Sequence, residues 1–320
     1  MSRIKAGIIG GAGYTGGEMI RLLLRHPGVE IGFIHSKSNA GKPVYSAHED
    51  LFGETELRFD PEWHSDIDVL FLCVGHGEAK KFMDESATRL DNTRIIDLSQ
   101  DFRLKVQPWV YGLPELNREA IRQAKKIANP GCFATAIQLG LLPLAKAGLL
   151  TEVYTTGITG STGAGQSLSP TSHFSWRANN IQAYKTLTHQ HLSEIGQTLE
   201  QLQGTVPAIH FVPWRGDFTR GIFISSQLPC NKPAEEIQHL FDEFYRGHPF
   251  THVSRTPISL KQVVNTNKCL IQLEQTKSQL VIHSALDNLL KGASGQAVQN
   301  MNLQFGLEET TGLQLKPIAF

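Results

Sequence analysis

The apolar positions of the first 150 residues form short runs typical of buried strands and longer stretches with the period of a helix. Helices are predicted before His26 and over residues 133–146. The predicted strands of this half are 4–9, 29–34, 68–74 and 94–98. Apolar strands that alternate with helices are typical of a parallel sheet covered on both faces. This half is therefore predicted to be a doubly wound α/β domain.

Beyond residue 146 the pattern changes, because strand-like segments follow one another without a helix between each pair. Two helical stretches, 191–203 and 233–245, interrupt them. The predicted strands are 153–158, 209–212, 221–228, 269–273 and 279–283. This order indicates an α+β domain with a largely antiparallel sheet.

A last predicted helix, 286–303, contains several small residues that permit close packing against another backbone. We expect it to return to the first domain. The predicted organisation is then a discontinuous first domain, 1–131 with 286–320, and a second domain, 132–285.

Three glycines, Gly10, Gly13 and Gly16, lie between the first predicted strand and the first helix. In a βαβ unit, such glycines let a pyrophosphate approach the backbone at the start of the helix. The alternative is an ordinary glycine-rich turn.

The end of the second strand carries Ser36, Lys37 and Ser38 and no acidic residue. An acid there would bind the ribose 2′-hydroxyl of NAD, whereas hydroxyls and a lysine suit a 2′-phosphate. We therefore predict NADP(H) as the cofactor, the alternative being a solvated polar loop. Ser99 and Arg103 follow a later strand, at the edge where ligands bind, although Arg103 could equally form a surface salt bridge.

Cys132 follows the turn Asn129-Pro130-Gly131 and precedes the predicted helix 133–146. The free N–H groups and positive dipole of a helix start favour a thiolate over a thiol. Cys132 is therefore a candidate nucleophile. The alternative, a buried core thiol, is equally consistent with this stretch alone.

A second chemical cluster is His189 and His191 with Glu194, which would lie on the same helix face as His191. A histidine can hold or supply a proton near neutral pH, and Glu194 could orient its ring. His210 is a competing base. Further along, Arg215 and Arg220 could bind a phosphate or carboxylate, or carry ordinary surface charge.

The segment from Thr159 to Gly165 is rich in glycine, serine and threonine. We interpret it as a flexible loop that offers N–H groups to an anion or cofactor, the alternative being a linker.

Composition narrows the functional classes. Thirty basic and thirty acidic residues leave no net charge, which argues against nucleic-acid or membrane-surface partners. The four cysteines are far apart, so we expect no disulfide framework, no structural zinc site and a reducing, cytoplasmic environment. Met1–Lys5 leads directly into a predicted strand, and we expect neither a signal peptide nor a membrane span.

Together these motifs, in this order, resemble the N-acetyl-γ-glutamyl-phosphate reductase family of arginine biosynthesis. They are G-G-A-G-Y-T-G at 10–16, D-L-S at 97–99, D-F-R at 101–103, Y-G-L-P-E at 111–115, N-P-G-C at 129–132, H-Q-H at 189–191 and L-K-G-A at 290–293. The resemblance implies that the first domain, 1–131 with 286–320, is an NADP-binding Rossmann domain. It implies that the second, 132–285, is a dehydrogenase-type catalytic and oligomerisation domain, with NADPH as reductant and a thioester on Cys132.

Residue roles follow from the resemblance. His189 would be the catalytic acid or base, Arg103 the acyl-phosphate contact and His191 a substrate contact. Glu194, Arg215 and Arg220 are expected as further substrate-binding residues from their own charge and place in the chain. The expected cofactor-binding residues are Gly10, Gly13, Tyr14, Thr15, Gly16, Ser36, Lys37, Ser38, Ser99, Ser161, Gly163 and Asn288. An extra Thr162 separates Ser161 from Gly163 relative to the family pattern. The partners would be a small substrate, phosphate and further copies of the chain, as a dimer or tetramer.

Three alternatives stay open at this stage. The acyl group could be succinyl instead of acetyl, and aspartate-semialdehyde dehydrogenases use the same cysteine chemistry. A third, non-enzymatic possibility is an NADP-sensing module in which Cys132 is unreactive.

Overall fold

The computed structural model describes residues 3–318. The chain divides into two compact units. The first consists of the chain up to Pro130 together with Ala293–Gln314. The second consists of Gly131–Gly292 and the residues from Leu315 onward.

The first unit is built on a six-stranded sheet in which all pairs are parallel. Its strands are β1 (Ile4–Ile9), β2 (Val29–His35), β3 (Val69–Leu72), β4 (Arg94–Asp97), β5 (Val110–Tyr111) and β6 (Lys126–Ala128), in the spatial order β2-β1-β3-β4-β6-β5. Three of its helices are α1 (Tyr14–Leu24), α2 (Glu78–Ser86) and α3 (Pro114–Gln123). The strand order reverses between β1 and β3, and the carboxyl ends of these strands are where open α/β sheets bind ligands.

The second unit is built on a seven-stranded mixed sheet. Its strands are β7 (Glu152–Thr159), β8 (Gln182–Ala183), β9 (Ala208–Arg215), β10 (Ile222–Pro229), β11 (Thr251–Ser254), β12 (Cys269–Thr276) and β13 (Gln279–Leu286), in the order β11-β12-β13-β10-β7-β9-β8. Four of the six neighbouring pairs are antiparallel, and β11–β12 and β7–β9 are parallel. The prediction of a largely antiparallel sheet is confirmed.

Four helices belong to this second unit: α4 (Cys132–Lys146), α5 (Phe174–Arg177), α6 (His191–Gln203) and α7 (Ala234–Tyr245). Helix α4 packs against α6, α7, β10 and β13, and all its residues from Phe133 to Ala145 are buried. This all-round burial explains its apolar sequence, since a helix covered on every side needs no polar face. The burial makes α4 a rigid support for its first residue, Cys132.

The predicted helix over 286–303 is wrong at its start. Strand β13 continues to Leu286, and Asp287 then accepts the N–H groups of Leu289 and Leu290. A π-helical turn covers Leu290–Ser294, and α8 (Gly295–Gln304) follows in the first unit. The short strands β5, β6, β8 and β11 were not predicted, because two- to four-residue strands have too little sequence pattern to stand out.

Candidate active site

Cys132 is the first residue of α4, one residue earlier than the predicted helix start at Phe133. Its N-cap, Gly131, has extended backbone (φ −71°, ψ 151°) and no side chain that could cap the helix. The first N–H groups of a helix have no intrahelical acceptors, so they favour negative charge at this position. Cys73, Cys230 and Cys269 are buried, whereas Cys132 is partly exposed. The core-thiol alternative therefore does not fit Cys132.

Gly292 lies directly beside the nucleophile. A Cβ added to Gly292 would lie 2.8 Å from the Cβ of Cys132 and 3.2 Å from its Cα. The turn that contains Gly292 is π-helical, a rare conformation that is frequent at functional sites. The glycine of the L-K-G-A motif is therefore required because the two backbones approach so closely.

His189 lies immediately before α6 in an aromatic environment, with the rings of Phe133, Tyr184 and Phe211 at centroid distances of 5.5, 5.9 and 5.5 Å. Burial, with a smaller effect from Lys185, lowers the pKa of His189 to about 4. The ring is therefore neutral at pH 7. Its Nδ1 accepts the backbone N–H of His191 at 3.2 Å, so the single ring proton lies on Nε2.

His191 and Glu194 form the predicted pair on one face of α6, with Nε2 of His191 3.8 Å from Oε1 of Glu194. Glu194 is 3% exposed. Its other carboxylate oxygen, Oε2, accepts the N–H of Gly131 at 3.1 Å. Glu194 therefore contacts the turn that carries Cys132 as well as His191.

Tyr184 belongs to this cluster and was not among the predicted site residues. The guanidinium of Arg215 lies 5.0 Å from its ring centroid. Burial raises the pKa of Tyr184, and the nearby charge of Cys132 raises it further. Because Tyr184 is close to both Cys132 and Arg215, the second unit brings Arg215 into the neighbourhood of the nucleophile.

Arg215 has a second cationic neighbour, Arg177, which was also missed. Arg177 donates to the carbonyl of Arg215 at 3.2 Å, and its pKa is lowered by burial and by the charge of Arg215. The Nε of Arg215 is buried without a hydrogen-bond partner within residues 3–318. Two close guanidiniums form a site suited to an anion. No sequence pattern marks Tyr184 or Arg177, since both come from the segment between β7 and α6, in which α5 and β8 are too short to show a clear pattern.

Arg220 does not behave as the predicted free anion contact. Its Nε and one terminal nitrogen each donate to the carboxylate of Asp287 at 3.1 Å, and Asp287 is fully buried. This ion pair holds the turn after β13.

Asn288 is likewise engaged within the second unit. Its Oδ1 accepts the N–H of Gly221 at 2.7 Å, and its Nδ2 donates to the hydroxyl of Thr162 at 3.0 Å. The predicted cofactor-binding amide is therefore already used at both ends. Thr162, the residue that departs from the family pattern, is part of this internal network.

The segment from Thr159 to Gly165 is not the flexible N–H donor loop that we expected. A 3₁₀ turn covers Ser161–Ala164. The N–H of Ser161 donates to the carbonyl of Phe218 at 2.9 Å, and that of Gly163 to Gly160 at 3.4 Å. Carbonyls of the same unit therefore already accept the N–H groups of Ser161 and Gly163, and the roles of these two residues in cofactor binding stay predictions.

His210, the competing base, lies on the other face of the sheet. Its neighbour on β9, Phe211, contacts His189, and successive residues of a strand point to opposite faces. The Nε2 of His210 is 2.9 Å from Glu152, and its ring stacks on Tyr154. The fold therefore separates His210 from the Cys132 cluster.

The glycine-rich turn of the first unit fits a dinucleotide phosphate. Gly10 has φ +80°, and a Cβ at Gly16 would lie 2.7 Å from the carbonyl oxygens of Gly10 and Gly11. Helix α1 starts after Gly13 without a side-chain cap, so its N-terminal N–H groups face the turn. His48, which was not predicted, donates from Nε2 to the carbonyl of Gly11 at 2.7 Å and supports the turn.

Tyr14 and Thr15 begin α1 directly after this turn. Tyr14 is 38% exposed, whereas the carbonyl of Thr15 accepts the Ser294 hydroxyl at 2.8 Å. The turn is therefore linked to the segment that leads into α8.

At the end of β2, the hydroxyls of Ser36 and Ser38 lie 3.4 Å apart, with exposed Lys37 between them. The carboxylate of Asp60, which lies beside β2, accepts the N–H of Ile34 at 3.1 Å. Two hydroxyls and a lysine suit a phosphate better than a ribose diol.

Ser99 and Arg103, at the end of β4, are both buried. Ser99 donates its N–H and hydroxyl to Asp97 at 3.0 and 2.8 Å. Arg103 donates to the carbonyls of Asn129 and Leu98 at 2.9 and 3.0 Å. In this structure Arg103 therefore supports the loop of Asn129.

Within residues 3–318, no group of three or more His, Cys, Asp or Glu side chains is arranged to hold a metal ion. In the same range, no helix is long and apolar enough to cross a membrane.

Comparisons with known proteins identify the family. Residues 5–124 match the family described as "Semialdehyde dehydrogenase, NAD binding domain", and residues 132–288 match "Semialdehyde dehydrogenase, dimerisation domain". A protein of Phocaeicola vulgatus named N-acetyl-gamma-glutamyl-phosphate reductase is 58% identical over 99% of this chain and 100% of its own length. The protein of the same name from Christiangramia forsetii is 54% identical over 98% of both chains. The chain belongs to the N-acetyl-γ-glutamyl-phosphate reductase family.

Solved structures with the same fold come from aspartate-semialdehyde dehydrogenases. Aspartate semialdehyde dehydrogenase II of Vibrio cholerae is similar with a TM-score of 0.75 at 17% identity, covering 95% of this chain and 99% of that one. The enzyme of Candida albicans with NADP is similar with a TM-score of 0.66 at 17% identity, covering 94% and 98%. At these identities the likeness concerns the fold.

As a member of the N-acetyl-γ-glutamyl-phosphate reductase family, the chain is an oxidoreductase of the semialdehyde dehydrogenase type with a nicotinamide-dinucleotide-binding domain and a dimerisation domain. The predicted family, fold class and enzyme class are confirmed. The roles of individual residues stay predictions.

Proposed function

We propose that this enzyme reduces N-acetyl-γ-glutamyl phosphate to N-acetylglutamate 5-semialdehyde and phosphate, with NADPH as reductant. The observation that carries the proposal is Cys132, a partly exposed cysteine at the start of a buried helix, in a cluster with a neutral histidine. The relatives at 53–58% identity that carry this enzyme's name support the choice of substrate.

Cys132 acts as the nucleophile. Its thiolate attacks the acyl-phosphate carbonyl, a C–S bond forms, and phosphate leaves with the C–O bonding pair. The N–H groups at the start of α4 stabilise the thiolate and the oxyanion that develops beside it. The product of this step is a thioester on Cys132.

His189 handles the substrate oxygen. Because its proton lies on Nε2 and its ring is neutral, it donates a hydrogen bond to the carbonyl oxygen as negative charge grows there. A neutral imidazole has the same polarising role in triosephosphate isomerase. After reduction of the thioester, the tetrahedral intermediate expels the Cys132 thiolate and releases the aldehyde.

NADPH, when bound, supplies the hydride for this reduction. The uncapped start of α1 and the turn from Gly10 to Gly16 would hold its pyrophosphate. Ser36, Lys37 and Ser38 would hold the 2′-phosphate, which favours NADPH over NADH.

Arg215 is the candidate contact for an anionic group of the substrate, since its Nε is buried with no acceptor among residues 3–318 and Arg177 adds a second positive charge. His191 is the candidate contact for the acyl chain. Arg103 stays a candidate phosphate contact.

We further propose a homo-oligomeric, cytoplasmic enzyme, in agreement with the dimerisation-domain match and the four free cysteines.

The reverse reaction tests the proposal. Purified enzyme is mixed with N-acetylglutamate semialdehyde, phosphate and NADP⁺, and NADPH formation is followed by absorbance. Phosphate-dependent NADPH formation is expected, and it should be faster with NADP⁺ than with NAD⁺. The same assay with N-succinylglutamate semialdehyde and aspartate semialdehyde decides the acyl group and the competing enzyme. No turnover with any of the three would contradict the proposal and favour an NADP-sensing module.

A further inference from the structure

The carboxylate of Glu194 is buried beside the turn that presents the nucleophile. Oε2 accepts the N–H of Gly131, the residue before Cys132, at 3.1 Å. A buried carboxylate is costly unless hydrogen bonds satisfy it, so this contact is a specific arrangement. It connects α6 directly to the start of α4.

A second contact fixes the same two helices relative to each other. Gln138, two turns into α4, is fully buried. Its Nε2 donates to the backbone carbonyl of Glu194 at 3.1 Å and to the hydroxyl of Thr198 at 2.9 Å. Gln138 thus holds the backbone of Glu194, and this places the Glu194 carboxylate beside the start of α4.

The turn needs such a contact because of its own sequence. Gly131 has the greatest backbone freedom of any residue type, and it adopts an extended conformation that nothing in its side chain enforces. Pro130 has no N–H, so Gly131 carries the one backbone N–H of the Pro130-Gly131 pair. A hydrogen bond to this donor restrains the peptide that joins Pro130 to Gly131, and with it the direction in which Cys132 leaves the turn.

We propose that Glu194 is a positioning residue that orients the Gly131 peptide and thereby holds Cys132 at the start of α4 in its reactive geometry. The inference rests on Cys132 being the nucleophile of the proposed function. It differs from the sequence-based expectation that Glu194 contacts the substrate. With 3% of its surface exposed and one oxygen on Gly131, Glu194 has little surface to offer a ligand.

Three variants test the role of Glu194. Glu194→Gln keeps an oxygen that can accept the Gly131 N–H. Glu194→Ala removes that oxygen, and Glu194→Asp moves it away from Gly131 because the side chain is one methylene shorter. The control is Thr198→Val, at a position on the same helix as Glu194. It removes the hydrogen bond from Gln138 to Thr198 but keeps the hydrogen bond between Glu194 and Gly131. Each variant is examined by steady-state kinetics, by thermal unfolding, and by the rate at which iodoacetamide alkylates Cys132 between pH 6 and 10, followed on the Cys132 peptide by mass spectrometry.

We expect Glu194→Ala and Glu194→Asp to lower kcat by ~10–100-fold with KM nearly unchanged, because small displacements of a reacting group cost rates of this order. The pH profile of Cys132 alkylation should change in the same variants. Glu194→Gln should retain kcat within about threefold and keep the wild-type alkylation profile, since one lost charge matters less here than the lost acceptor. Thr198→Val should lower the unfolding temperature alone.

Two results would overturn the inference. A raised KM with normal kcat in Glu194→Ala would place Glu194 on the substrate, and identical behaviour of Glu194→Ala and Thr198→Val would reduce it to a general stabilising residue. If Glu194→Ala does not fold, Glu194→Gln and Glu194→Asp are compared instead. Equal kcat and equal alkylation profiles in these two variants would overturn the inference. The alkylation assay needs no substrate, so it tests Glu194 even if the proposed reaction fails.

Discussion

Two helices of this enzyme, α1 in the first unit and α4 in the second, begin in the same way. Each has a glycine at the N-cap, Gly13 or Gly131, with extended backbone and no side-chain cap. Each therefore leaves N–H groups that favour a negative charge. The difference lies in what surrounds them: glycines keep the space before α1 open, whereas Glu194 and Gly292 hold Cys132 in place at α4.

The comparison teaches that one local device serves two kinds of chemistry. At α1 the negative charge belongs to a bound cofactor, and the requirement is room for it. At α4 the charge belongs to the protein's own sulfur, and the requirement is rigidity. Substitutions at the two helix starts should therefore have separable effects.

The largest effect is expected from Cys132→Ser. A hydroxyl at the start of α4 is far less ionised than a thiol, so kcat should fall by ~10³-fold or more. NADPH binding, measured by the change in nicotinamide fluorescence, should stay within about twofold of wild type because α1 is unchanged. Turnover close to wild type in the serine variant would exclude the covalent mechanism.

Gly16→Ala should act at the other helix start. Its Cβ would lie 2.7 Å from the carbonyl oxygens of Gly10 and Gly11, so the turn must deform. We expect the Kd for NADPH to rise by ~10–100-fold, equivalent to about 1.4–3 kcal/mol, while Cys132 alkylation is unchanged. Gly28→Ala is the matched control, because its Cβ would meet no atom closer than 3.5 Å. Unaltered NADPH affinity in Gly16→Ala would show that the cofactor binds elsewhere.

Gly292→Ala probes the rigidity of α4. The new methyl group would lie 2.8 Å from the Cβ of Cys132, which must move. We expect kcat to fall by ~10-fold or more with NADPH affinity preserved, the reverse of the pattern for Gly16→Ala. Normal kcat would mean that the position of Cys132 tolerates displacement and that the proposed contrast between room and rigidity is wrong.

The pH dependence of the free energy of unfolding should reveal the protonation state of His189. Its folded pKa of about 4 lies below the unfolded value of 6.5, so the unfolded chain binds a proton that the folded chain does not. As pH falls from 6.5 to 4, His189 should remove up to about 3 kcal/mol from the free energy of unfolding. Urea unfolding of wild type and His189→Asn at pH 4.5 and 7 measures this. A titration near pH 6.5 in kcat/KM that disappears in His189→Asn would contradict the neutral assignment.

Asp97 of the first unit should show the opposite slope. Burial raises its pKa to about 6 from 3.8, so the folded chain holds a proton that the unfolded chain has lost. Between pH 4 and 6 the free energy of unfolding should therefore fall as pH rises, by at most about 3 kcal/mol. The same urea series on Asp97→Asn should lack this decline. If both variants follow the wild-type pH dependence, neither group controls acid stability.

Much of the fold could be predicted from the sequence because its signals are local. Helix α6 was predicted with its observed ends, His191 and Gln203, from the spacing of apolar residues. The turn before Cys132 was predicted because proline and glycine restrict the backbone wherever they occur. The boundary at Leu286 was missed, since small and apolar residues there suit a strand and a helix equally.

The candidate site was harder to predict. Arg215 and Arg220 are close in sequence and equal in charge. Arg220 nevertheless forms an ion pair with Asp287, whereas the guanidinium of Arg215 lies over the ring of Tyr184. Tyr184 and Arg177 carried no signal, because their importance depends on neighbours distant in the chain.

By itself the sequence determined the order of the elements, the two uncapped helix starts and the types of residue placed there, because these depend on backbone preferences over a few neighbouring residues. Only the tertiary structure decided which backbone N–H groups stay available. Carbonyls of Phe218 and Gly160 accept the N–H groups of Ser161 and Gly163, and carbonyls of His35 and Gly10 likewise accept those of Gly11 and Gly13. The donors that remain in the segment from Gly10 to Gly16 are those at the start of α1, which has no side-chain cap. A donor is available to a ligand only where folding brings no acceptor to it, and that depends on contacts between distant parts of the chain.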